Sequence, residues 1–598
     1  MKTGNGRTLE SGLKPLSDVA ATTDVRQTRT GLRWLIVSLI AAAMVILRVM
    51  ALRSDPFPRL DWSTGLLTDE GFYIHNARNV ILFGHARTDD FNNMLQMPLL
   101  HYLQVAVFEL FGVGSVQARM ISVVLSLFTL VLFYLSLRRA FGVSAAGLAT
   151  LFLGLDHVNL LYNRMALMET PATFFAVAGF YGCVRWIEQM NGSRAKWYWP
   201  AAAGVFVAAA CVTKASILFL VPVPLLALWA GTKKASASEE SRSKFSIRMG
   251  GGWLYVASVM AVAILYFAFW YWPNHSAISE MDHYYRVQQI QPSSLSHLWL
   301  NLDHAVFGDW RGQTPYLMRH TPVVFLLALA ALITPVGWRD PIRRLLSWWL
   351  LLGWTMLAII SYSPSRYYVP VYPAMMALAA IGLVYWRLLV KHFTENGWAG
   401  AVRRGLLGGL VAYHALEVAI HHSVFHATDY LAAAFVVGAA LCIGVGRRRG
   451  AESIQPDSSV QRTSQIAVIV AVAMWMMVNG YWLTCWLTTL SYSQYHVSRE
   501  LARILPLHSV IIGDMAPGLC LDNRFRAINV IPKLCNWRYP ISRFAGRPEY
   551  LLILDGNWKE RWWVKHYPKL VAQRRRMKLF RVERWTIGLY PVAGWRSG

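Results

Sequence analysis

Apolar runs of near bilayer length recur along most of the chain, separated by short polar and basic stretches. An α-helix of about 20 apolar residues spans the hydrocarbon core, and lipid offers backbone groups no partner outside a helix or closed barrel. The pattern therefore predicts a polytopic α-helical membrane protein. The length criterion gives about thirteen transmembrane helices, near residues 33–52, 119–137, 143–160, 168–187, 197–212, 215–231, 253–272, 321–337, 344–362, 368–386, 405–424, 430–446 and 465–490.

Basic residues give these spans an orientation, because cytoplasmic loops carry an excess of Lys and Arg. Clusters such as Arg138-Arg139, Lys233-Lys234 and Arg447-Arg448-Arg449 all fall on the side of the N-terminus. We therefore predict a cytoplasmic N-terminus and, with an odd span count, an external C-terminus. Residues 1–32 are polar and lack a signal-peptide cleavage site, so a disordered cytoplasmic tail is expected there, before a transmembrane domain over 33–490.

The first long loop predicted outside, residues 53–118, contains an amphipathic helix pattern. Its apolar face is formed by Tyr73, Ala77, Val80 and Ile81, and its polar face by His75, Arg78 and Asn79. A second helix is expected to begin at Pro98. Both are interpreted as helices lying along the membrane interface.

The segment 491–598 reads as a small external α/β domain. Short β-branched and aromatic runs predict strands at residues 510–513, 527–530 and 550–554, and a hairpin over 579–592. A helix is predicted from His496 to Leu505.

Composition agrees with a membrane protein. Of 598 residues, 55% are hydrophobic and only 15% are charged, less than a soluble protein of this size carries. The net charge of +26 would suit nucleic-acid binding, but the basic residues occupy the loops that orient spans, so no nucleic-acid partner is predicted.

Two adjacent carboxylates, Asp69 and Glu70, follow the first apolar run. One interpretation is helix capping, with the negative charge favoured at a helix N-terminus. The other is catalysis, since the same position keeps a carboxylate ionised and able to act as a general base. The two interpretations are compatible.

Three cations are predicted on the outer side, where orientation rules do not require them. They are Arg164, Lys214 and Arg366. Arg164 either pairs with the nearby Glu169 or binds an anion. Lys214 either extends to the membrane interface or belongs to a functional site. Tyr367 is either a membrane-belt anchor or a site residue. Cations near a carboxylate suit a lipid-linked phosphosugar, whose phosphate leaves and whose acceptor hydroxyl needs a base.

Metal and cysteine signals are weak. No ligand spacing specifies a metal, although Asp69, Glu70, His75 and His283 leave a divalent ion open and no cofactor is certain. Cys520 and Cys535 lie in the segment predicted outside, where an oxidising compartment permits a disulfide. We predict that bond, the alternative being two buried thiols.

The order of short motifs resembles the GT-C glycosyltransferases of family 39, which include protein O-mannosyltransferases and lipid A aminoarabinose transferases. The motifs are Asp69-Glu70, Met97-Pro98-Leu99-Leu100-His101-Tyr102, Ala118-Arg119, Asn163-Arg164-Met165-Ala166, Glu169-Thr170-Pro171 and Arg366-Tyr367. The resemblance covers roughly residues 33–390 and rests on the order of the motifs. It implies the GT-C fold, a polyprenyl-phosphate sugar donor, an outward site, inverting transfer and a bacterial inner membrane.

The resemblance also assigns roles. Asp69 matches the aspartate that deprotonates or orients the acceptor, and Glu70 matches its partner. Arg164 and Glu169 match an Arg and an acidic residue of the next outer loop, where many members have Asp instead of Glu. Lys214 and Arg366 match basic positions near the lipid phosphate. The sugar and the acceptor, whether lipid, glycan or protein, are left open.

Two other classes of function compete. A flippase for lipid-linked glycans would need polar residues through the membrane midplane, for which Asp156, His157, His414 and Glu417 are candidates. A structural membrane protein would leave the acidic pair and the outward cations unexplained. Activity toward a polyprenyl-phosphate sugar separates the enzyme from both.

Overall fold

The structure is a computed structural model. It describes residues 16–60, 69–96, 98–190, 197–229, 239–288, 298, 301, 303, 306, 317–359, 364–420, 458–532, 535–538, 549–556, 558–568, 576–583 and 585–592. The predicted span at 430–446 and residues 1–15 of the predicted N-terminal tail lie outside these residues.

The described chain is mostly α-helical, as the apolar runs predict. We number its helices α1 Leu16–Val49, α2 Asp69–Phe83, α3 Pro98–Phe111, α4 Ser115–Leu155, α5 His157–Tyr162, α6 Glu169–Gln189, α7 Tyr198–Thr213, α8 Val223–Trp229, α9 Glu239–Tyr266, α10 His275–Gln288, α11 Leu317–His320, α12 Pro322–Leu332, α13 Pro341–Ile359, α14 Tyr372–Val384, α15 Trp386–Thr394, α16 Trp398–Ile420, α17 Ser458–Thr488, α18 Ser493–Ile504, α19 Ala516–Leu519 and α20 Trp558–His566.

Five stretches of described helix are long and apolar enough to cross a bilayer: Ser115–Leu155, Gly251–Glu280, Pro341–Ile359, Ser365–Val384 and Val468–Ile504. Shorter apolar helices coincide with further predicted spans, namely Trp34–Val49, Pro98–Phe111, Tyr198–Thr213, Ala215–Trp229 and Pro322–Leu332. The chain is thus a multi-pass helical membrane protein, while the count of thirteen stays a prediction.

Two predicted spans form one long helix, α4, with a break at Gly142. That residue has φ +83°, a conformation that glycine adopts without a Cβ penalty. The break falls between the apolar runs at 119–137 and 143–160. Two runs in sequence therefore become two helical segments joined by a kink.

Residues 1–50 and 51–598 are separate compact units. In the first unit, α1 already begins at Leu16. The helix therefore includes residues 16–32, which the sequence analysis assigned to a disordered tail. Within it, Arg48 donates from Nη1 to the Met44 carbonyl at 2.9 Å, one turn earlier.

The described residues from 491 onward, here called the C-terminal domain, contain a five-stranded mixed sheet in the order β2-β1-β3-β5-β4. The strands are β1 Val510–Ile512, β2 Arg526–Ile528, β3 Tyr550–Leu554, β4 Lys578–Val582 and β5 Trp585–Pro591. β1 pairs in parallel with β2 and β3, whereas β5 is antiparallel to β3 and β4. The predicted strands, the hairpin and the helix before them are all present.

Alternation along the strands places apolar side chains on both faces of this sheet. On one face, Ile511 and Leu552 pack with Leu501 of α18. On the other, Ile512 and Leu551 pack with Trp563 of α20 and with Tyr567, which follows that helix. Helices thus cover both faces, which gives the small domain a core on each side.

The segment between residues 51 and 114, here called the first segment, packs against the C-terminal domain. The Asp55 carboxylate accepts from the backbone N–H of Ser493 at 2.7 Å and of Gln494 at 3.0 Å, so it caps α18 from a distance. The Asp522 carboxylate accepts from the N–H and hydroxyl of Ser115 at 3.1 Å at the start of α4.

This packing corrects the interfacial interpretation of α2. His75, Arg78 and Asn79, predicted on an exposed polar face, are each at most 1% exposed. The Arg78 guanidinium donates to the carbonyls of Asn523 and Phe525, so the polar face of α2 contacts the C-terminal domain. Helical periodicity identified the two faces, but a distant part of the chain decided what covers the polar one.

The predicted disulfide between Cys520 and Cys535 is not formed. Both side chains are buried thiols outside any disulfide, and the Cys535 Sγ donates to the Asn529 carbonyl at 3.4 Å. Burial raises the pKa of the Cys520 thiol to about 12, so this side chain stays protonated and unreactive. The alternative of two core thiols is the correct one.

We expect both thiols to react with a maleimide in the denatured protein without prior reduction. The native protein should label at neither position because both side chains are buried. Mass spectrometry of peptides labelled before and after denaturation measures this. A 520–535 disulfide peptide recovered under non-reducing conditions would contradict the structure.

Candidate active site

Four charged side chains form a chain of alternating sign. The Asp69 carboxylate lies 2.7 Å from Nη1 of Arg366. Nε of Arg366 is 3.4 Å from Oε1 of Glu169, and the same oxygen is 2.9 Å from Nζ of Lys214. The sequence-predicted residues Asp69, Glu169, Lys214 and Arg366 are thus brought together, and their formal charges cancel.

Local structure explains where each group stands. Asp69 is the first residue of α2 and Glu169 the first of α6, so both carboxylates lie at helix N-termini, where negative charge is stabilised. Lys214 is an extended residue with φ −153° and ends α7. Arg366 lies in the 3₁₀ turn Ser365–Val371, which follows Pro364. Four different elements therefore meet at this site.

Exposure differs along the chain of charges. The Asp69 side chain is 16% exposed, whereas that of Glu169 is 0% and those of Lys214 and Arg366 are 4%. Asp69 is therefore the group that solvent or a substrate reaches first. Glu169 lies between the two cations and offsets the repulsion between them.

Two tyrosines complete the cluster. The Tyr367 ring lies 3.9 Å from Nζ of Lys214 and 5.3 Å from the Arg366 guanidinium carbon, close enough for cation–π attraction. Tyr73 stands one helical turn after Asp69 on α2. Burial, followed by the Asp69 charge, raises the pKa of the Tyr73 hydroxyl well above its usual value, so Tyr73 is a neutral donor here.

Hydrogen bonds fix the loops that carry these residues. The Tyr162 hydroxyl and the Ser365 hydroxyl are 2.6 Å apart, which ties the end of α5 to the turn that holds Arg366. The Thr170 hydroxyl lies 3.1 Å from the Asn163 amide oxygen, which fastens the loop before α6. Neither contact was foreseen, because the partners are distant or lie within a loop.

Glu70 belongs to a different contact. It is 0% exposed and binds Arg119 in a two-pronged ion pair, with Nε–Oε1 at 2.9 Å and Nη2–Oε2 at 2.7 Å. Oε1 also accepts from the Ala166 N–H at 2.7 Å. Nη1 of Arg119 donates to the carbonyls of Leu52 and Ser54, both at 2.6 Å. Glu70 thus joins α2 to α4 and to the loop before α6.

Arg164 also stands apart from the four-residue cluster. One interpretation of the sequence paired it with Glu169, whose described ion pairs are instead with Lys214 and Arg366. Nη2 of Arg164 donates to the Ala51 carbonyl at 3.1 Å, and its guanidinium lies 4.4 Å from the Trp486 ring. Arg164 and Trp486 line a small cavity with Asp55, Phe57 and other residues of the first segment.

The four candidate metal ligands do not assemble. Nε2 of His75 lies 3.5 Å from the Asp89 carboxylate, while Glu70 is held by Arg119. His283 is exposed on α10. Within the described residues, no group of three or more His, Cys, Asp or Glu side chains has the arrangement of a metal site.

Two groups at the site were not predicted from the sequence. Tyr73 was assigned to the apolar face of α2, although its position one turn after Asp69 indicated that it lies beside the carboxylate. Arg119 appeared only within a family motif. A buried basic residue at the start of an apolar helix is a signal for a carboxylate partner, and here that partner is Glu70.

Comparison with known proteins gives a family match. The model of the dolichyl-phosphate-mannose-protein mannosyltransferase family matches residues 94–278. An uncharacterised protein of Aquifex aeolicus is 28% identical over 170 residues, which cover 28% of this chain. The match spans 33% of that relative's length.

Solved structures show the fold. ArnT of Cupriavidus metallidurans bound to undecaprenyl phosphate superposes with a TM-score of 0.56 at 16% identity, over 94% of this chain and 98% of ArnT. Its apo form gives 0.55 at 15% identity. The protein therefore shares the fold of this ArnT. Together with the family model, this confirms the resemblance to family 39 inferred from the motifs.

Proposed function

We propose that the protein transfers a sugar from a polyprenyl-phosphate donor to an acceptor hydroxyl at the outer face of the membrane, with inversion. The observation that carries this proposal is the Asp69–Arg366–Glu169–Lys214 cluster. It combines one accessible carboxylate with two buried cations. The mannosyltransferase family model and a fold shared with an ArnT that binds undecaprenyl phosphate support the class of donor.

In this mechanism the acceptor oxygen attacks the anomeric carbon of the sugar while Asp69 takes the proton from the acceptor hydroxyl. The bond from that carbon to the phosphate oxygen breaks, and the phosphate leaves with the electron pair. A single displacement from the opposite face inverts the anomeric centre. The attacking acceptor oxygen and the departing phosphate oxygen therefore lie on opposite sides of the anomeric carbon.

The ion pair between Asp69 and Arg366 links the two halves of the reaction. As Asp69 takes up the proton, its negative charge disappears and Arg366 loses the partner 2.7 Å away. At the same moment negative charge grows on the leaving phosphate. Arg366 and Lys214, already fixed by Glu169, can then stabilise that charge without reorganisation. Tyr367 lies beside both cations and would border the phosphate.

Glu70 is proposed as a positioning residue. Asp69 and Glu70 are consecutive on a helix, so their side chains point about 100° apart. The Glu70 side chain is fully buried against Arg119 and the Ala166 N–H, where an acceptor does not reach. Its role is to hold α2 while Asp69 faces the substrate.

The test uses the purified full-length protein in nanodiscs with a radiolabelled polyprenyl-phosphate mannose and, separately, the aminoarabinose donor. Acceptors are lipid A and membrane lipid, glycan and protein fractions from the source cells. Transfer of label by the wild type and not by Asp69→Asn supports the proposal. Movement of intact donor across the bilayer without transfer would favour a flippase instead.

Lys214→Met is expected to raise the donor KM by about 10-fold to 100-fold, because a charge-assisted hydrogen bond contributes about 1.5–3 kcal/mol. Arg164→Met should change it much less, since Arg164 is committed to Ala51 and Trp486. Steady-state kinetics at varied donor concentration measures both. An equal rise of the donor KM in the two variants would indicate that Arg164 also contacts the phosphate.

A further inference from the structure

Two side-chain contacts, besides the close approach of α19, join the C-terminal domain to the helix that carries Asp69. Nη2 of Arg78 donates to the carbonyl of Asn523 at 3.0 Å and to that of Phe525 at 2.7 Å. Leu521, 1% exposed, packs against Ile74 and Ala77 on a neighbouring side of α2. One contact is polar and one is apolar, and both come from the short stretch 521–525 of the C-terminal domain.

These contacts restrict movement of α2. Arg78 lies nine residues after Asp69 on the same helix, roughly 13 Å along an axis that rises 1.5 Å per residue. Two hydrogen bonds to one guanidinium resist sliding along this axis, and the Leu521 contact resists rotation about it. Because a helix of this length is stiff, a displacement at Arg78 is passed to Asp69.

Burial of the Arg78 cation costs folding free energy, which an apolar side chain packed at the same place would not. Arg78 is 1% exposed, and its Nε and Nη1 have no hydrogen-bond partner among the described residues. Burial lowers the pKa of Arg78 from its ordinary value. A buried cation with incomplete partners destabilises a fold relative to an apolar side chain. The two carbonyl contacts of Arg78 therefore do more than fill space, because they fix the position of α2.

We propose that Arg78 is a positioning residue through which the C-terminal domain holds Asp69 in register with Arg366, Glu169 and Lys214. This inference rests on the proposed function. The C-terminal domain is then part of the catalytic apparatus, although none of its residues contacts the four-residue cluster among the described contacts. A misplacement of about 1 Å at a reacting group can reduce the rate roughly 10²-fold.

The first test compares Arg78→Met, Arg78→Lys and Arg526→Met in the full-length protein. Arg78→Met is expected to lower kcat by about 10-fold to 100-fold while the donor KM changes by less than about 3-fold. Arg78→Lys, which keeps a donor for one carbonyl, should recover part of kcat. Arg526 donates to the Thr88 carbonyl at 3.1 Å across the same interface, and among the described contacts it meets α2 through the Phe83 ring at the far end of the helix, 6.0 Å away. Arg526→Met should therefore stay within about 3-fold of wild type.

A double-mutant cycle separates positioning from general damage. If Arg78 acts through Asp69, adding Arg78→Met to Asp69→Asn should slow the enzyme no further. Equal fold losses in the wild-type and Asp69→Asn backgrounds would overturn the proposal. So would a loss of kcat in Arg526→Met as large as that in Arg78→Met.

Crosslinking measures the position of Asp69 without sugar transfer, so it tests the role of Arg78 separately from the proposed function. In a background free of native cysteines, Asp69→Cys and Arg366→Cys can be joined by a short bifunctional thiol reagent, because the ends of the native side chains meet at 2.7 Å. Arg78→Met should reduce the crosslinking yield several-fold, and Arg526→Met should not. An unchanged yield in Arg78→Met would refute positioning even if the wild type transferred no sugar. If crosslinking behaved as expected but the wild type transferred no sugar, the proposed function would be wrong and the positioning role of Arg78 would stand.

Discussion

Asp69→Asn is expected to reduce sugar transfer by about 10²-fold to 10⁴-fold, the usual cost of losing a general base. The amide keeps the shape of the side chain but removes its basic oxygen and its negative charge. Because Arg366 then loses a partner at 2.7 Å while Glu169 remains, donor binding should be retained or strengthened. Single-turnover rates and donor affinity, measured separately on the purified protein, check both halves of this expectation.

The control for this variant is Asp90→Asn, an exposed carboxylate of the same first segment. It should transfer sugar at the wild-type rate. Thermal unfolding in detergent should be similar for both variants and the wild type. An Asp69→Asn protein that turns over normally would remove Asp69 from the chemistry and leave its pair with Arg366 as a structural contact.

Local patterns predicted much of this architecture. Apolar run length found the helices, since a span needs only its own residues to be recognised. Alternation and β-branched composition found the strands of the C-terminal domain, where each short run carries its own period. The break in α4 at Gly142 likewise lies between two visible runs. These features depend on neighbours in sequence.

The sequence predicted the four charged residues that the structure brings together, but it did not predict how they pair. Asp69 and Arg366 lie far apart along the chain, and only the packing of α2 against the turn at Ser365–Val371 brings them within 2.7 Å. Arg164 was grouped with the other cations because it shares their predicted side of the membrane. Its position beside Trp486 depends on a helix from the far end of the chain, which no local pattern reveals.

Asp69 and Glu70 also show that neighbours in sequence need not share contacts in the fold. A sequence motif treats Asp69 and Glu70 as a pair with a common role. On a helix, the turn of about 100° between consecutive residues directs them to different surroundings. Asp69 faces Arg366 and is partly exposed, whereas Glu70 is enclosed with Arg119.

The enclosed pair yields the second large expected effect, this time on stability. Glu70→Ala should lower the free energy of unfolding by about 3–5 kcal/mol, because it leaves Arg119 as an uncompensated buried charge. Arg119 is 3% exposed and would keep only its backbone carbonyl partners, Leu52 and Ser54. Unfolding by denaturant in detergent micelles, followed by tryptophan fluorescence, measures the change.

A second variant separates charge imbalance from lost contact. Replacing both partners with apolar residues of similar length, Glu70→Met with Arg119→Met, removes the unpaired charge along with the bond. The double variant should therefore regain a large part of the stability that Glu70→Ala loses. Its transfer rate should nevertheless stay low, since α2 would no longer be bound to the Ala166 N–H and to α4. Wild-type activity in the double variant would show that Glu70 has no influence on the position of Asp69.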